Sequence, residues 1–244
     1  MFEKILSYPL TLLYYILFGI ALCVFHPIQW LCFNLGGYQA HKKSVDYLNC
    51  ILVRNLHVLG TRFKVKNINL APKNVPVIIV ANHQSMYDIP PIIWFLRRLH
   101  PKFISKKELG KGIPSVSYNL RHGGSALIDR KDSKQAIPEI IKVAQYIEKH
   151  NRTVVIFPEG TRSKNGKARS FSETGLRVLC ENAPSAYILP ITINNSWKLV
   201  KWGAFPMGLG NQIIHTLHTP LKISDYKFEE LFKIVEETIV KDIR

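Results

Sequence analysis

From Ile5 to His41 the sequence has no aspartate, glutamate, lysine or arginine. A stretch that long without charge excludes an ordinary solvated surface helix. Residues 5–25, ILSYPLTLLYYILFGIALCVF, reach the roughly 20 residues that cross a bilayer as a helix. A secretory signal fits badly: the apolar run is too long, only Lys4 precedes it after Glu3, and no clean small-x-small cleavage site follows. The polar interruption HPIQW at 26–30 predicts a kink or turn. A single span, a re-entrant hairpin and a monotopic helix pair are all compatible with that pattern.

Cysteine is scarce and scattered. Cys23, Cys32, Cys50 and Cys180 form no C-x-x-C pair and have no histidine at zinc-finger spacing. A disulfide framework is not expected, and a reducing compartment is; cysteines in or beside an apolar segment act as small hydrophobes. Acidic residues are also few, 17 against 33 lysines and arginines, for a net charge of +16. Such an excess favours anionic partners: nucleic acid, phosphate-bearing substrates or an acidic membrane surface. No recognised nucleic-acid motif is present. There is no G-x-S-x-G elbow of a serine hydrolase. Gly160 and Gly166 are separated by five residues, with Ala168 after Lys167, which excludes a Walker loop. No internal repeat or low-complexity linker interrupts the chain.

What is present is an alternation of elements. Ser44, as an N-cap, and Gly60, as a C-terminal glycine, bracket an amphipathic helix carrying Val45, Leu48, Leu52, Leu56 and Leu59. Residues 1–60 therefore read as two helices that associate with a membrane, and 61–244 as a separate domain. In that domain RFKVKNI, VPVIIVA, KFIS, SALID, TVVIF, AYILPITI and QIIHTLH read as strands. Helices are expected after SMYD, after an Asp132 or Ser133 cap, near 172–181 and over the C-terminal DYKFEELFKIVEETIVKDI. Alternating strands and helices predict an α/β domain with a partly parallel sheet, whose sites gather at the carboxyl ends of strands. Tyr14, Tyr15, Trp30 and Tyr38 are candidate interfacial anchors.

Two stretches carry chemistry. In VANHQSMYDIP (80–90), His83 and Asp88 are five positions apart, which in one helix would leave their side chains about 140° apart. They converge only if His83 precedes a helix that Asp88 begins, and Pro90 and Pro91 suit a helix start. A carboxylate on one imidazole nitrogen fixes the tautomer and leaves the other nitrogen free as a base. The same pair would also serve as a cap or loop tether. A zinc site needs three or four ligands, and His57, His122, His215 and His218 show no metal spacing around the pair. In VVIFPEGTRS (154–163) a buried strand breaks at Pro158 and is followed by Gly160, Thr161 and Arg162. Freed backbone N–H groups beside a guanidinium make an anion site, although a plain polar loop has the same composition.

Taken in order, Asn82-His83 with Asp88, Ile128-Asp129-Arg130, Phe157-Pro158-Glu159-Gly160-Thr161-Arg162 and the ILPI around Pro190 resemble the four blocks of the glycerolipid acyltransferase family. More closely, the chain resembles its bacterial PlsC-type 1-acyl-sn-glycerol-3-phosphate branch, from about Arg62 to Asn195. Ala126-Leu127 departs from the aromatic residue often found before Ile-Asp-Arg. The resemblance implies an α/β fold with a mostly parallel mixed sheet flanked by helices, and an N-terminal two-helix motif that docks into a membrane. It implies transfer of an acyl group from acyl-CoA or acyl-carrier protein to lysophosphatidic acid, in phospholipid biosynthesis at the cytoplasmic face of the inner membrane, without metal or cofactor. His83 would be the general base and Asp88 its orienting partner. Gly160, Thr161 and Arg162 would hold the acceptor's phosphate, with Glu159 bracing that loop. Lys106 or Lys107 is a second phosphate candidate, and Arg130 either a phosphate ligand or a partner of Asp129. Rival readings are another acceptor, such as glycerol 3-phosphate, a different lysophospholipid or an acylated amino acid, or a non-catalytic lipid- or nucleic-acid-binding protein.

Overall fold

The computed structural model describes residues 2–244. Helix α1 (Phe2–Asn55) is bent once, at Gly37, whose φ of 65° and ψ of −162° lie outside helical space. Only glycine reaches that region without strain, so the bend falls at the Gly36-Gly37 pair. The kink expected at 26–30 is absent. Pro27 removes one hydrogen bond there, but Ser115 holds the adjoining turn, donating from Oγ to Leu22 O (2.6 Å) and from N to His26 Nδ1 (3.1 Å). Ser44 is likewise no cap. The second limb has already begun after Gly37, and Ser44 Oγ donates to His41 O within it (2.6 Å). Gly60 does close the element, after a 3-10 turn at Leu56–Leu59, with a left-handed φ of 67°.

The two limbs meet through Ala21, Leu22, Leu48 and Leu52. The first limb also lies along the rest of the protein. Tyr14 packs on Tyr87, Tyr15 Oη donates to Ala204 O (2.7 Å), Thr11 Oγ1 accepts from Met207 N (2.9 Å), and Glu3 pairs with Lys201. Its other face is apolar and bare: Leu12, Ile16, Ile20 and Val24, four residues apart, are each about half exposed (56, 50, 55 and 51 %). This helix is long and apolar enough to cross a membrane by length and composition. Of the four expected anchors only Trp30 is exposed; Tyr14 is buried, Tyr15 is tied to Ala204, and Tyr38 stacks on His100, because each faces the protein.

The sheet comprises β1 (Arg62–Lys66), β2 (Val77–Ala81), β3 (Pro101–Lys106), β4 (Ala126–Ile128), β5 (Thr153–Ile156), β6 (Tyr187–Asn194), β7 (Gln212–Leu217) and β8 (Leu221–Lys222). Their order is β1-β7-β6-β2-β5-β3-β4, with β8 also on β6. β6 pairs antiparallel with β7 and β8, and every other pairing is parallel. Central β2 is buried at all five positions, as a strand covered on both faces must be, which explains its unbroken VIIVA. One face is covered by α4 (Ser133–His150), α5 (Glu173–Asn182) and α6 (Phe228–Lys241), through residues such as Ile140, Ile147, Leu176, Leu231 and Val235. The other is covered by α1 and α2 (Ile89–Phe95), through Tyr14, Val45, Leu56, Leu59, Ile92 and Ile93. A short α3 (Val116–His122) closes the end near β4. The parallel strands β2, β3, β4, β5 and β6 thus bring their carboxyl ends to one edge.

Candidate active site

Asn82 leaves the end of β2 and extends the ladder with its side chain, exchanging hydrogen bonds of 2.8 and 2.7 Å with the backbone of Ile193 on β6. His83 follows, and the chain turns at once into a 3-10 turn (Met86–Asp88) that runs into α2, with prolines in its first turn. Ser85 caps it, Oγ accepting from Tyr87 N (3.1 Å), while its own N–H donates to Asp88 Oδ2 (2.9 Å). The turn carries Asp88 back under His83, and Nδ1 of the imidazole meets Oδ2 at 2.8 Å. Asp88 is therefore both helix cap and histidine partner.

Asp88 is completely buried. Burial alone would raise its pKa. The bonds from His83 Nδ1, Ser196 Oγ and backbone Ser85 outweigh that cost and hold the carboxyl below its ordinary value. Gln84 N also donates to Oδ2 (2.8 Å), so His83 and two backbone amides converge on that oxygen, while Ser196 serves Oδ1. The imidazole stacks on Phe157 at 4.1 Å between centroids and 16° between planes. With 10 % of its side chain exposed, His83 makes no bond through Nε2 to any described residue. Nδ1 held by a carboxylate fixes the tautomer that leaves Nε2 as an acceptor facing the surface.

The second stretch lies against the first. Glu159 Oε1 accepts from His83 N (2.8 Å) and Ser163 N donates to His83 O (2.8 Å), so the loop after β5 grips the histidine's backbone from both sides. Glu159 thus braces His83 rather than only its own loop. Burial pushes its carboxyl up to about 7, with the nearby Asp88 charge adding to the effect and the His83 N–H opposing it. Gly160 turns the chain outward at a left-handed φ of 67°, which leaves Thr161 and Arg162 exposed at the mouth.

Arg130, just after β4, donates to Gly160 O, while Asp129 Oδ1 accepts from Lys131 N (2.9 Å). The alternative of an Arg130–Asp129 pair is therefore not what forms. Burial and the charge of Arg162 both lower the pKa of Arg130, so two guanidinium groups share one mouth. Lys106 ends β3 in register with Ile128, close in sequence to Arg130, and Lys107 follows; both are exposed and neither forms an ion pair. The sequence patterns assign no role to Ser196 or Gln84, and none to Phe157 beyond its place in the FPEGTR block. Gln84 Oε1 accepts from Ser196 N (3.0 Å), placing the Ser196 hydroxyl on Asp88 from 108 residues away. Phe157 and the S-x-x-D cap were legible as motifs; nothing local marks Ser196.

A parallel-sheet edge bearing a histidine–carboxylate pair beside a cationic mouth places a potential general base next to a potential anion site. Residues 62–194 match the family model described as Acyltransferase, and the chain belongs to that family. It is 31 % identical over 196 residues to the 1-acyl-sn-glycerol-3-phosphate acyltransferase of Borreliella burgdorferi, covering 80 % of this chain and 76 % of that one. With the Helicobacter pylori enzyme of the same name it shares 38 % identity over 125 residues, half of each chain. The crystal structure of the 1-acyl-sn-glycerophosphate (LPA) acyltransferase PlsC from Thermotoga maritima superposes with a TM-score of 0.82 at 27 % identity, covering 98 % of this chain and 95 % of that one.

Proposed function

We propose that this protein acylates the free glycerol hydroxyl of lysophosphatidic acid from a fatty acyl thioester, acyl-CoA or acyl-carrier protein, forming phosphatidic acid. The observation that carries the reading is the 2.8 Å bond between His83 Nδ1 and the buried Asp88, with Nε2 left unbonded beside the arginine mouth. The acceptor's phosphate sits on Arg162 and the Gly160-Thr161 turn, with Arg130 alongside and Lys106 or Lys107 within reach of the rim. His83 Nε2 takes the hydroxyl proton as that oxygen attacks the thioester carbon. Asp88 offsets the positive charge that then develops on the imidazole. The tetrahedral adduct collapses, the C–S bond breaks, and the imidazolium returns the proton to the departing thiolate. The C–O bond formed replaces the C–S bond lost, with no acyl-enzyme, and the steps draw on no metal or cofactor.

The bare apolar stripe of α1 supports a monotopic attachment. Its opposite face is held along its length by the catalytic domain, so the helix lies in one leaflet and the active site sits at the lipid surface, on the cytoplasmic side of the inner membrane. Basic side chains near anionic headgroups add about 1 kcal/mol each at low screening.

Acyl transfer to lysophosphatidic acid by wild type and His83→Ala tests the reading. Loss of a general base removes about 10²–10⁴-fold in rate, and the variant should still unfold cooperatively in the same detergent, at a midpoint lowered by the lost bond to Asp88. Near-full activity in His83→Ala would overturn the mechanism. An acceptor panel including glycerol 3-phosphate and phosphate-free monoacylglycerol tests the substrate.

A further inference from the structure

A second cationic cleft lies at the other end of the sheet. Its walls are the start of the second limb of α1 (His41, Lys42, Asp46), the start of β3 (His100, Lys102) and Ser125 before β4, around a small cleft open to solvent. Val77, Pro101 and Thr153 share one register level. Lys102 therefore lies roughly 15 Å below His83 along the strand direction, at about 3.3 Å per residue.

The polar groups here are built in but unsatisfied. Lys102 is only 6 % exposed, yet among the described residues it has no carboxylate partner; its Nζ rests 4.8 Å from the Tyr38 ring. Arg152 lies over the same ring at 3.9 Å, also without a carboxylate. His41, 1 % exposed and wedged between Phe33 and Tyr118, has a buried Nε2 with no hydrogen-bond partner. Ser125 Oγ accepts from Phe103 N (3.2 Å), which leaves its own hydroxyl proton to give. Lys42 and Asp46 pair and cancel. A buried ammonium without a partner is costly unless something answers it. Burial pushes Lys102 down to about 7, with the Arg152 and Lys42 charges acting in the same direction and the Asp46 carboxylate opposing them.

We propose that this cleft is a second anion site, distinct from the acceptor site, that takes a phosphate monoester and clamps the membrane-facing helix to the sheet. Among the described residues Lys102 and Arg152 form no ion pair, and a phosphomonoester, at about −1.5 to −2 near neutral pH, supplies the opposite charge and draws Lys102 back to its protonated form. Lys102, His41 and Ser125 line the cleft with group types that phosphate sites use, and the Arg152 guanidinium lies on the Tyr38 ring beside Lys102. Leu35, 83 % exposed at the end of the apolar limb, is three residues before Tyr38, which puts the cleft close in sequence to the membrane-facing limb.

The test uses the full chain in nonionic detergent, carrying Arg162→Ala so that the acceptor site does not compete. Titration calorimetry with inorganic phosphate at constant ionic strength should show saturable binding, weakened on the order of ten-fold or more by Lys102→Met. Arg152→Gln, at a partly exposed position, should weaken it in the same direction. Phosphatidylcholine vesicles doped with phosphatidic acid or, at equal charge, with phosphatidylglycerol identify the source. Loss of preference for phosphatidic acid in Lys102→Met assigns a lipid headgroup, whereas a response to soluble phosphate alone assigns a free phosphate. Equal phosphate binding by parent, Lys102→Met and Arg152→Gln, or no saturable binding with no vesicle preference, would overturn the proposal.

Discussion

Replacing Ser196 by alanine removes a hydrogen bond to Oδ1 of Asp88; among the described residues the one other donor to that oxygen, Ser85 Oγ, stands at 3.5 Å. Both Ser196 and Asp88 are completely buried, so no water replaces the hydroxyl without opening the site. A hydrogen bond to a charged group contributes about 1.5–3 kcal/mol. The variant should therefore lose about 2 kcal/mol at neutral pH, which for a chain of this size lowers the thermal midpoint by roughly 4–8 °C. The pH dependence separates this cause from simple loosening. The folded pKa of Asp88 is depressed, so its stabilisation is present above the unfolded carboxylate range, near 4, and is lost as pH falls through the folded value. Removing a donor raises the folded value, so acid unfolding must begin at higher pH. Ser196 touches no substrate in the proposed reaction. As a positioning residue it should lower kcat by about ten-fold, equivalent to about 1.4 kcal/mol, and leave KM for the acceptor unchanged. In an Asp88→Asn background the Ser196→Ala effect should largely vanish, because the charge it served is gone. Unfolding followed by circular dichroism between pH 3 and 8 in matched detergent makes the measurement. An unchanged midpoint and acid limb, or an equal loss in the Asp88→Asn background, would refute the reasoning.

Three further outcomes are expected. Glu159 has a folded pKa raised from 4.5 to about 7, so its contribution favours folding at low pH and is lost as pH rises through 7; Glu159→Gln keeps the acceptor for His83 N and should regain about 2–3 kcal/mol above pH 7, whereas an unchanged decline of stability with pH would count against the assignment. Arg162→Ala should raise KM for lysophosphatidic acid by about ten-fold with little change in kcat and leave KM for a phosphate-free monoacylglycerol unaltered; an equal rise for both acceptors would place the guanidinium elsewhere. Ile16→Asp, on the bare stripe of α1, should weaken vesicle binding by on the order of 50-fold, at about 2.5 kcal/mol for an aspartate forced into hydrocarbon, and full retention of vesicle binding in flotation assays would show that this face stays in water.

Much of this protein was legible before folding because its signals are local. VIIVA has no charge because both sheet faces over β2 are covered, and that same lack of charge marks it in the sequence. Gly60 and Asp132 end and begin helices through their own backbone and side chain, so their positions were readable one residue at a time. The order of NH-x4-D, IDR and FPEGTR carried the family. The two N-terminal departures have different causes, one distant in sequence and one near. Pro27 stayed helical because Ser115, far along the chain, ties down the neighbouring turn, and Ser44 lost its cap role because Gly37 had already set the helix boundary.

Residue types, apolar periodicity and motif order, properties of short segments, determined by themselves the α/β class and the uncharged N-terminal helix, and marked His83, Asp88 and the Glu159–Arg162 loop as candidates. Only the tertiary structure decided that Ser196 completes the Asp88 carboxylate, that Glu159 grips His83 as well as its own loop, that Arg130 turns to Gly160, and that Lys102 is buried facing α1. Each of these depends on strand order. β6 must lie beside β2 for Ser196 to reach Asp88, and β5 must lie on the other side for Glu159 to reach His83. Strand order is set by the burial of whole faces, a sum over the chain that no local pattern contains.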